Sequence, residues 1–210
     1  MSRVAALYPT IFLRQYVAGK TASDPFYEAV FERLRDSIDP ILDAGCGIGV
    51  LAAFLRERGV SVPIRGIDHD AEKIAVARAS LKLDGVDFEI GDARELPPWR
   101  GTIVLADLLH YFDRPTQLRV LARAAESAAT VIIRDALRDG SWRYRITYLQ
   151  ESLAMLIGWL KNERLQFPTR ESIVGAFPNF TAEVVPMWGR TPFNNYLFVF
   201  RRSSDGITNA

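Results

Sequence analysis

Apolar and polar positions change rhythm twice along this chain. Over the first 39 residues apolar positions recur at helical spacing, and Phe26, Val30, Phe31 and Leu34 share one face. Ser23 or Asp24 can cap that stretch and Pro25 suits its first turn. The pattern predicts a helical segment in two pieces, separated by Gly19 to Ser23. From Pro40 onward short apolar runs alternate with amphipathic ones. The runs predict strands at about 41–44, 62–67, 86–90, 102–106 and 130–134. Helices are expected between them at about 48–58, closed by Gly59, then 70–83 and 115–128. Strands alternating with helices imply a parallel sheet with right-handed crossovers. The last third differs. An apolar-rich helix over about 141–161 and a short one over 169–176 precede two strands, 180–186 and 195–200, with no helix between them. So short a link permits only antiparallel pairing.

No repeat or low-complexity segment appears, only a polar tail at 203–210. The expectation is one domain over 1–210, with a helical cover at 1–39, an α/β core at 40–202 and a flexible tail. Hydrophobic residues at 49% and charged residues at 24% fit a soluble globular chain. A net charge of +1 gives no global basic field, so nucleic acid is not an expected partner. A single cysteine, Cys46, excludes an intrachain disulfide and a cysteine-based zinc site; with His69 and His110 as the only histidines, no metal is expected. No run reaches the length of a membrane-spanning helix, and Pro9 interrupts the apolar stretch Val4 to Leu13. A cytoplasmic chain is therefore expected.

The run Ile41-Leu42-Asp43-Ala44-Gly45-Cys46-Gly47-Ile48-Gly49 carries the most chemistry. It reads as a buried strand, a glycine turn and a helix start, a common cradle for nucleosides. A dinucleotide fingerprint places its third glycine at position 50, which is Val50 here. The D-x-G-x-G-x-G spacing instead resembles motif I of the class I S-adenosylmethionine (SAM)-dependent methyltransferases. The resemblance spans about Tyr16 to Arg202 and is strongest over Ile41 to Phe112. It implies a Rossmann-like α/β fold. The sheet would be seven-stranded and mostly parallel with an antiparallel last strand, helices on both faces and an N-terminal helical cover. SAM is the implied cofactor, S-adenosylhomocysteine (SAH) the product, and no metal takes part.

Asp68 lies about 20 residues past the glycine turn, the spacing of an acid that reads a ribose, and one carboxylate matches two hydroxyls. The resemblance implies further roles. Gly45, Cys46, Gly47 and Gly49 form the cradle, and Asp43 orders it. Asp92 accepts from the adenine amine while the Ala93 amide meets the ring. Asp107 lies near the amino group, His69 neighbours the adenosine, and Tyr16 lines the carboxylate end. Cys46 reads as a small packing residue rather than a nucleophile. Asp92 also reads as a simple helix cap.

Methyl transfer from a sulfonium is an in-line displacement, so the protein mainly aligns the reactants and excludes water. An oxygen or carbon acceptor still needs a proton removed. His110 is the first candidate base, with Tyr111 beside it; the competing reading has His110 supporting its loop. Asp135 is either a base or an arginine's partner. Arg143, Asn194 and Asn195 are candidate acceptor ligands, and ordinary turn chemistry is the alternative for the two asparagines. The long helix, with Tyr148, Leu149, Leu153, Met155, Leu156, Ile157, Trp159 and Leu160, is apolar over more than one face. Part must pack on the sheet; the rest lines a pocket, a homodimer contact or a membrane surface. The loop Pro186 to Tyr196, with Tyr16 to Tyr27 and the helix from Trp142, resembles uncharacterised bacterial methyltransferases of aryl-polyene and fatty-acid-like pathways. That resemblance implies a small aromatic or acyl acceptor, free or carrier-bound. Two other readings remain: a SAM-binding protein without catalysis, and an NAD(P)-dependent Rossmann reductase. Val50, Asp92 and the antiparallel ending count against the reductase.

Overall fold

The computed structural model describes residues 3–156, 165–189 and 191–203. Seven strands form one sheet: β1 (Ile41–Ala44), β2 (Ile64–Asp68), β3 (Val86–Ile90), β4 (Thr102–Ala106), β5 (Thr130–Ala136), β6 (Phe180–Pro186) and β7 (Asn195–Arg202). Their order is β3-β2-β1-β4-β5-β7-β6. The first five pair in parallel, and β7 runs antiparallel between β5 and β6. Only β7 is reversed, as the sequence implies. The order turns back between β1 and β4, which opens a crevice beyond their C-terminal ends.

Both faces of the sheet are covered, so the central strands are apolar at successive positions. On one face Ile41, Val104 and Ile132 pack with α3 (Phe26–Leu34), α4 (Val50–Glu57) and α5 (Ala71–Ser80). On the other, Leu42, Ile103, Val131 and Ile133 pack with α6 (Arg114–Ser127) and α8 (Arg170–Val174). Gly49 fixes how α4 meets β3. Its φ is 79°, and a Cβ there would lie 2.6 Å from Phe88 Cζ and 2.7 Å from Leu81 Cδ1. Neither backbone nor space admits another residue without rearrangement.

The N-terminal cover differs from expectation. A short α1 (Arg3–Ala6) precedes α2 (Ile11–Ser23), which runs straight through Gly19. The break falls at Asp24 instead, with φ −91° and ψ 112°. A residue before proline is pushed out of the helical region, and that outweighs the weak preference of one glycine. Asp24 Oδ1 then accepts from the Phe26 N–H at 3.0 Å and restarts the helix. Smaller shifts have local causes. The α4 helix waits for Gly49 to leave its left-handed conformation, and β2 begins after Pro63.

The long helix α7 (Trp142–Leu156) exposes Trp142, Ile146, Leu149 and Leu153. Its predicted continuation through Ile157, Trp159, Leu160 and Lys161 lies outside the described residues, as do the side chains of Met155 and Leu156, Arg190 of the final loop, and the tail beyond Ser203. Among the described residues no helix is long and apolar enough to cross a membrane.

Candidate functional site

A cavity of about 540 Å³ sits at the crevice, between the strand ends and α2. Every predicted cofactor residue except Gly49 borders it. The glycine turn is held from below: the Gly45 and Cys46 amides donate to the Ile67 carbonyl at 2.8 and 3.0 Å. Gly47 has φ 55°, and no heavy atom lies within 4 Å of where its Cβ would be. The turn therefore presents bare backbone to the cavity.

Asp68 is 6% exposed and already has two duties. Its Oδ2 accepts from the Gly47 amide at 2.8 Å, and its Oδ1 from the Asp70 amide at 2.9 Å. An ionised carboxylate offers about four acceptor positions, so two remain for a ligand. His69 beside it is exposed, with Nδ1 3.5 Å from Asp68 Oδ1. Asp70, not Asp68, caps α5 by accepting from Glu72 and Lys73 amides.

Asp43 is buried behind the turn. Burial first, then the facing Asp68 charge, pushes its carboxyl up to about 7. The folded protein thus holds a proton on Asp43 that the unfolded chain releases near pH 4. Between about pH 4 and 7 the native state binds more protons, so stability falls as pH rises through that window. We expect a slope of up to about 1.4 kcal/mol per pH unit in urea-denaturation free energies. Asp43→Asn should flatten it; an unchanged slope would exclude Asp43 as its source. Cys46 is the reverse of reactive: burial pushes its thiol up, and it makes only a 3.7 Å contact to the Gly47 carbonyl.

Asp92 caps the short turn Ala93–Glu95 by accepting from the Arg94 amide at 2.8 Å. The Arg94 guanidinium also pairs with it, at 2.8 Å from Nε to Oδ2, and holds its carboxyl below the usual range. Ala93 is buried beside it. Tyr16 projects from α2 at the opposite wall, with Lys20 Nζ 5.9 Å from its ring centroid.

Asp107 follows β4 with φ 53°, the positive-φ non-glycine among the described residues. Asp tolerates this region better than most side chains. Its amide donates to the Arg134 carbonyl at 2.8 Å, and its carboxylate accepts from Arg134 Nη1.

Behind the cavity lies a buried histidine. His110 is 3% exposed, and its Nδ1 is 2.6 Å from Asp135 Oδ1. Asp135, with no exposure, also accepts from the Leu109, His110 and Ala136 amides. Asp135 therefore partners His110 and not an arginine. Successive β5 side chains face opposite sides, so Arg134 and Asp135 cannot meet the same group. The His110 ring stacks on Phe167, 5.2 Å away at 11°, and its Nε2 is buried with no partner among the described residues. Burial disfavours its charged form, but the Asp135 carboxylate outweighs this and raises its pKa.

Tyr111 borders the cavity; His110 does not. The Tyr111 hydroxyl is 3.5 Å from Glu151 Oε2 on α7. Burial raises the Glu151 pKa. Glu151 is the side chain sequence reading missed. It lies four residues past buried Thr147, on the same inward face of the helix, and that spacing was the available signal.

The predicted acceptor ligands stand elsewhere. Arg143 lies between the Trp142 and Trp188 rings, 4.6 Å from each centroid, and donates to the Thr191 carbonyl at 2.7 Å. Asn194 is fully buried; its Nδ2 donates to the Leu137 carbonyl at 2.8 Å and its amide to Thr147 Oγ1 at 2.9 Å. Asn195 opens β7 and accepts from the Met187 amide. None of the three borders the cavity. The Arg143 and Asn194 side chains donate to main-chain carbonyls, and the Asn195 contact is made by its own main-chain carbonyl. Among the described residues no group of His, Cys, Asp and Glu could hold a metal ion.

Comparisons with known proteins agree with this geometry. Residues 41–130 match the family described as a methyltransferase domain. Methyltransferase GfsG of Streptomyces halstedii is 28% identical over 129 residues, covering 57% of this chain and 46% of its own. The ribosomal protein L11 methyltransferase of Methylobacillus flagellatus is 32% identical over 132 residues, covering 61% and 44%. The chain thus spans less than half the length of these curated relatives. Among solved structures, the magnesium protoporphyrin IX methyltransferase of Synechocystis PCC 6803, with bound SAH, superposes with a TM-score of 0.66 at 17% identity, covering 93% of this chain and 89% of that one. The pyocyanin biosynthetic protein PhzM gives 0.67 at 21%, covering 90% and 58%.

Proposed function

We propose, from the premise that residues 41–130 are a methyltransferase domain on the class I SAM-dependent methyltransferase fold, that this chain methylates a small aromatic or acyl-type molecule, free or carrier-bound. The observation that carries the cofactor side is the bare Gly47 backbone hydrogen-bonded to Asp68, with two acceptor positions of that carboxylate left for a ribose. Asp92 and Ala93 would hold the adenine, and Asp107 the amino-acid end, while Asp43, Cys46, His69 and Tyr16 wall the site. SAM supplies a methyl group already activated by its sulfonium charge.

The protein's own part is alignment and proton removal. In the neutral ring, with the Nδ1 proton donated to Asp135, Nε2 carries a lone pair, and the Asp135 carboxylate raises the ring's affinity for a proton. We assign the acceptor's proton to that nitrogen. It lies behind Tyr111, so the acceptor's reacting group must approach past the Tyr111 ring and Glu151. Phe12, Phe26, Tyr111 and Phe112 border the same cavity and suit an apolar acceptor. The exposed apolar residues of α7 are where a second copy would dock.

Calorimetric titration with SAM, SAH and NAD tests the cofactor. Binding of NAD without SAM would refute the reading, and binding without turnover on any acceptor would favour a non-catalytic SAM-binding protein. Once an acceptor is found, His110→Gln should lower kcat by roughly 10²–10⁴-fold with SAH affinity unchanged. Full turnover in that variant removes His110 as the base.

A further inference from the structure

Two charged groups left unused by that reading, Arg134 and Asp24, meet Asp107 at one corner of the cavity. Arg134 lies near the end of β5 with its side chain 9% exposed. Its Nη1 pairs with Asp107 and its Nη2 with Asp24 Oδ2 at 3.0 Å. Its Nε is buried with no partner among the described residues, and the guanidinium lies 5.6 Å from the Phe26 ring centroid. One side chain thereby ties β4 and β5 to the hinge between α2 and α3. Asp24 is 13% exposed and Asp107 34%. Phe26, Asp107 and Arg134 all border the cavity.

The charges do not balance locally: one guanidinium serves two carboxylates. In so buried a setting the excess negative charge favours a ligand cation, and the unpartnered guanidinium edge favours a ligand anion. A zwitterionic amino acid offers both on one carbon.

We propose that Asp24, Arg134 and Asp107 form a clasp that fastens the N-terminal cover to the core when the amino-acid end of the cofactor is in place. The inference rests on the SAM site proposed above. The ligand ammonium pairs with Asp107 and releases part of Arg134; Arg134 then binds the ligand carboxylate and holds Asp24 more firmly. Asp24 is a positioning residue that acts through Arg134. The cover closes fully on SAM or SAH, and not on a nucleoside thioether that lacks the amino-acid end.

The test compares SAH with 5′-methylthioadenosine by calorimetry and by hydrogen exchange across residues 11–24. Asp24→Asn is the informative variant. Its amide oxygen still accepts from the Phe26 N–H, so the hinge turn survives while the ion pair is lost. In the native protein SAH should slow exchange in α2 more than the thioether does. Asp24→Asn should lose this extra protection and bind SAH roughly tenfold more weakly, with thioether affinity unchanged. Arg134→Lys, which keeps a charge but not two directed donors, should behave alike. Equal losses for both ligands, or no loss, would overturn the clasp and leave the cofactor site standing. A native protein that binds neither ligand would overturn the cofactor site, and the clasp with it.

Discussion

Asp135→Ala should cost about 3–5 kcal/mol of folding stability, the largest loss expected from one side chain here. The carboxylate is fully buried and accepts from the Leu109 and Ala136 amides at 2.8 Å, the His110 amide at 3.3 Å and His110 Nδ1 at 2.6 Å. Alanine leaves all these donors in a dry interior, and each unsatisfied group costs about 1–3 kcal/mol before relaxation. The midpoint of thermal unfolding should fall by roughly 10 °C for a chain of this size. Asp135→Asn should be milder, because an amide oxygen still accepts. It loses the charge that fixes the His110 tautomer, so its effect should fall more on turnover than on melting. A denaturation curve for Asp135→Ala within about 1 kcal/mol of the native protein would show that other groups hold the segment after β4.

The second large effect concerns ligand binding. Asp68→Ala should weaken SAH affinity by about 100-fold or more. The carboxylate supplies the proposed ribose contacts, and bonds to a charged group are worth about 1.5–3 kcal/mol each. It also holds the Gly47 amide in place, so the cradle loses shape along with the ribose acceptors. Asp68→Asn should fall between the two, since one oxygen can still accept from Gly47. Calorimetry on the three proteins gives the ranking. A change under about threefold for Asp68→Ala would place the ribose elsewhere.

These two residues also mark what was legible in the sequence. Asp68's place beside the glycine turn could be read from spacing because its partners are close in the fold: the Gly47 and Asp70 amides. The central strands were legible for a similar reason. Burial on both faces makes them continuous apolar runs, bounded by Asp and Gly. Asp135 was visible only as a carboxylate near a strand end. Its pairing with His110 depends on β4 lying beside β5, and on which side of β5 residue 135 faces. Arg134 meets Asp24 across 110 positions of chain, and no periodicity reports that. Arg143 and Asn194 lie off the cavity, which no local pattern reports. Polar residues among aromatic ones suggest a binding loop, whereas here they satisfy buried backbone groups. The α2 break was misplaced because glycine was weighted above the residue preceding proline.

The alternation at the end of β5 has a practical consequence for recombination. Arg134 faces the cavity and Asp135 the histidine behind it, one residue apart on a strand gripped from both sides. Ala106 fixes Arg134 from β4, while Leu197 and Tyr196 fix Arg134 and Asp135 from β7. A one-residue slip would exchange the two side chains and put each charge in the other's place. Any chimera that keeps the first five strands and imports another C-terminal part must therefore be spliced after Ala136, with the phase of the donor's last two strands matched to this one.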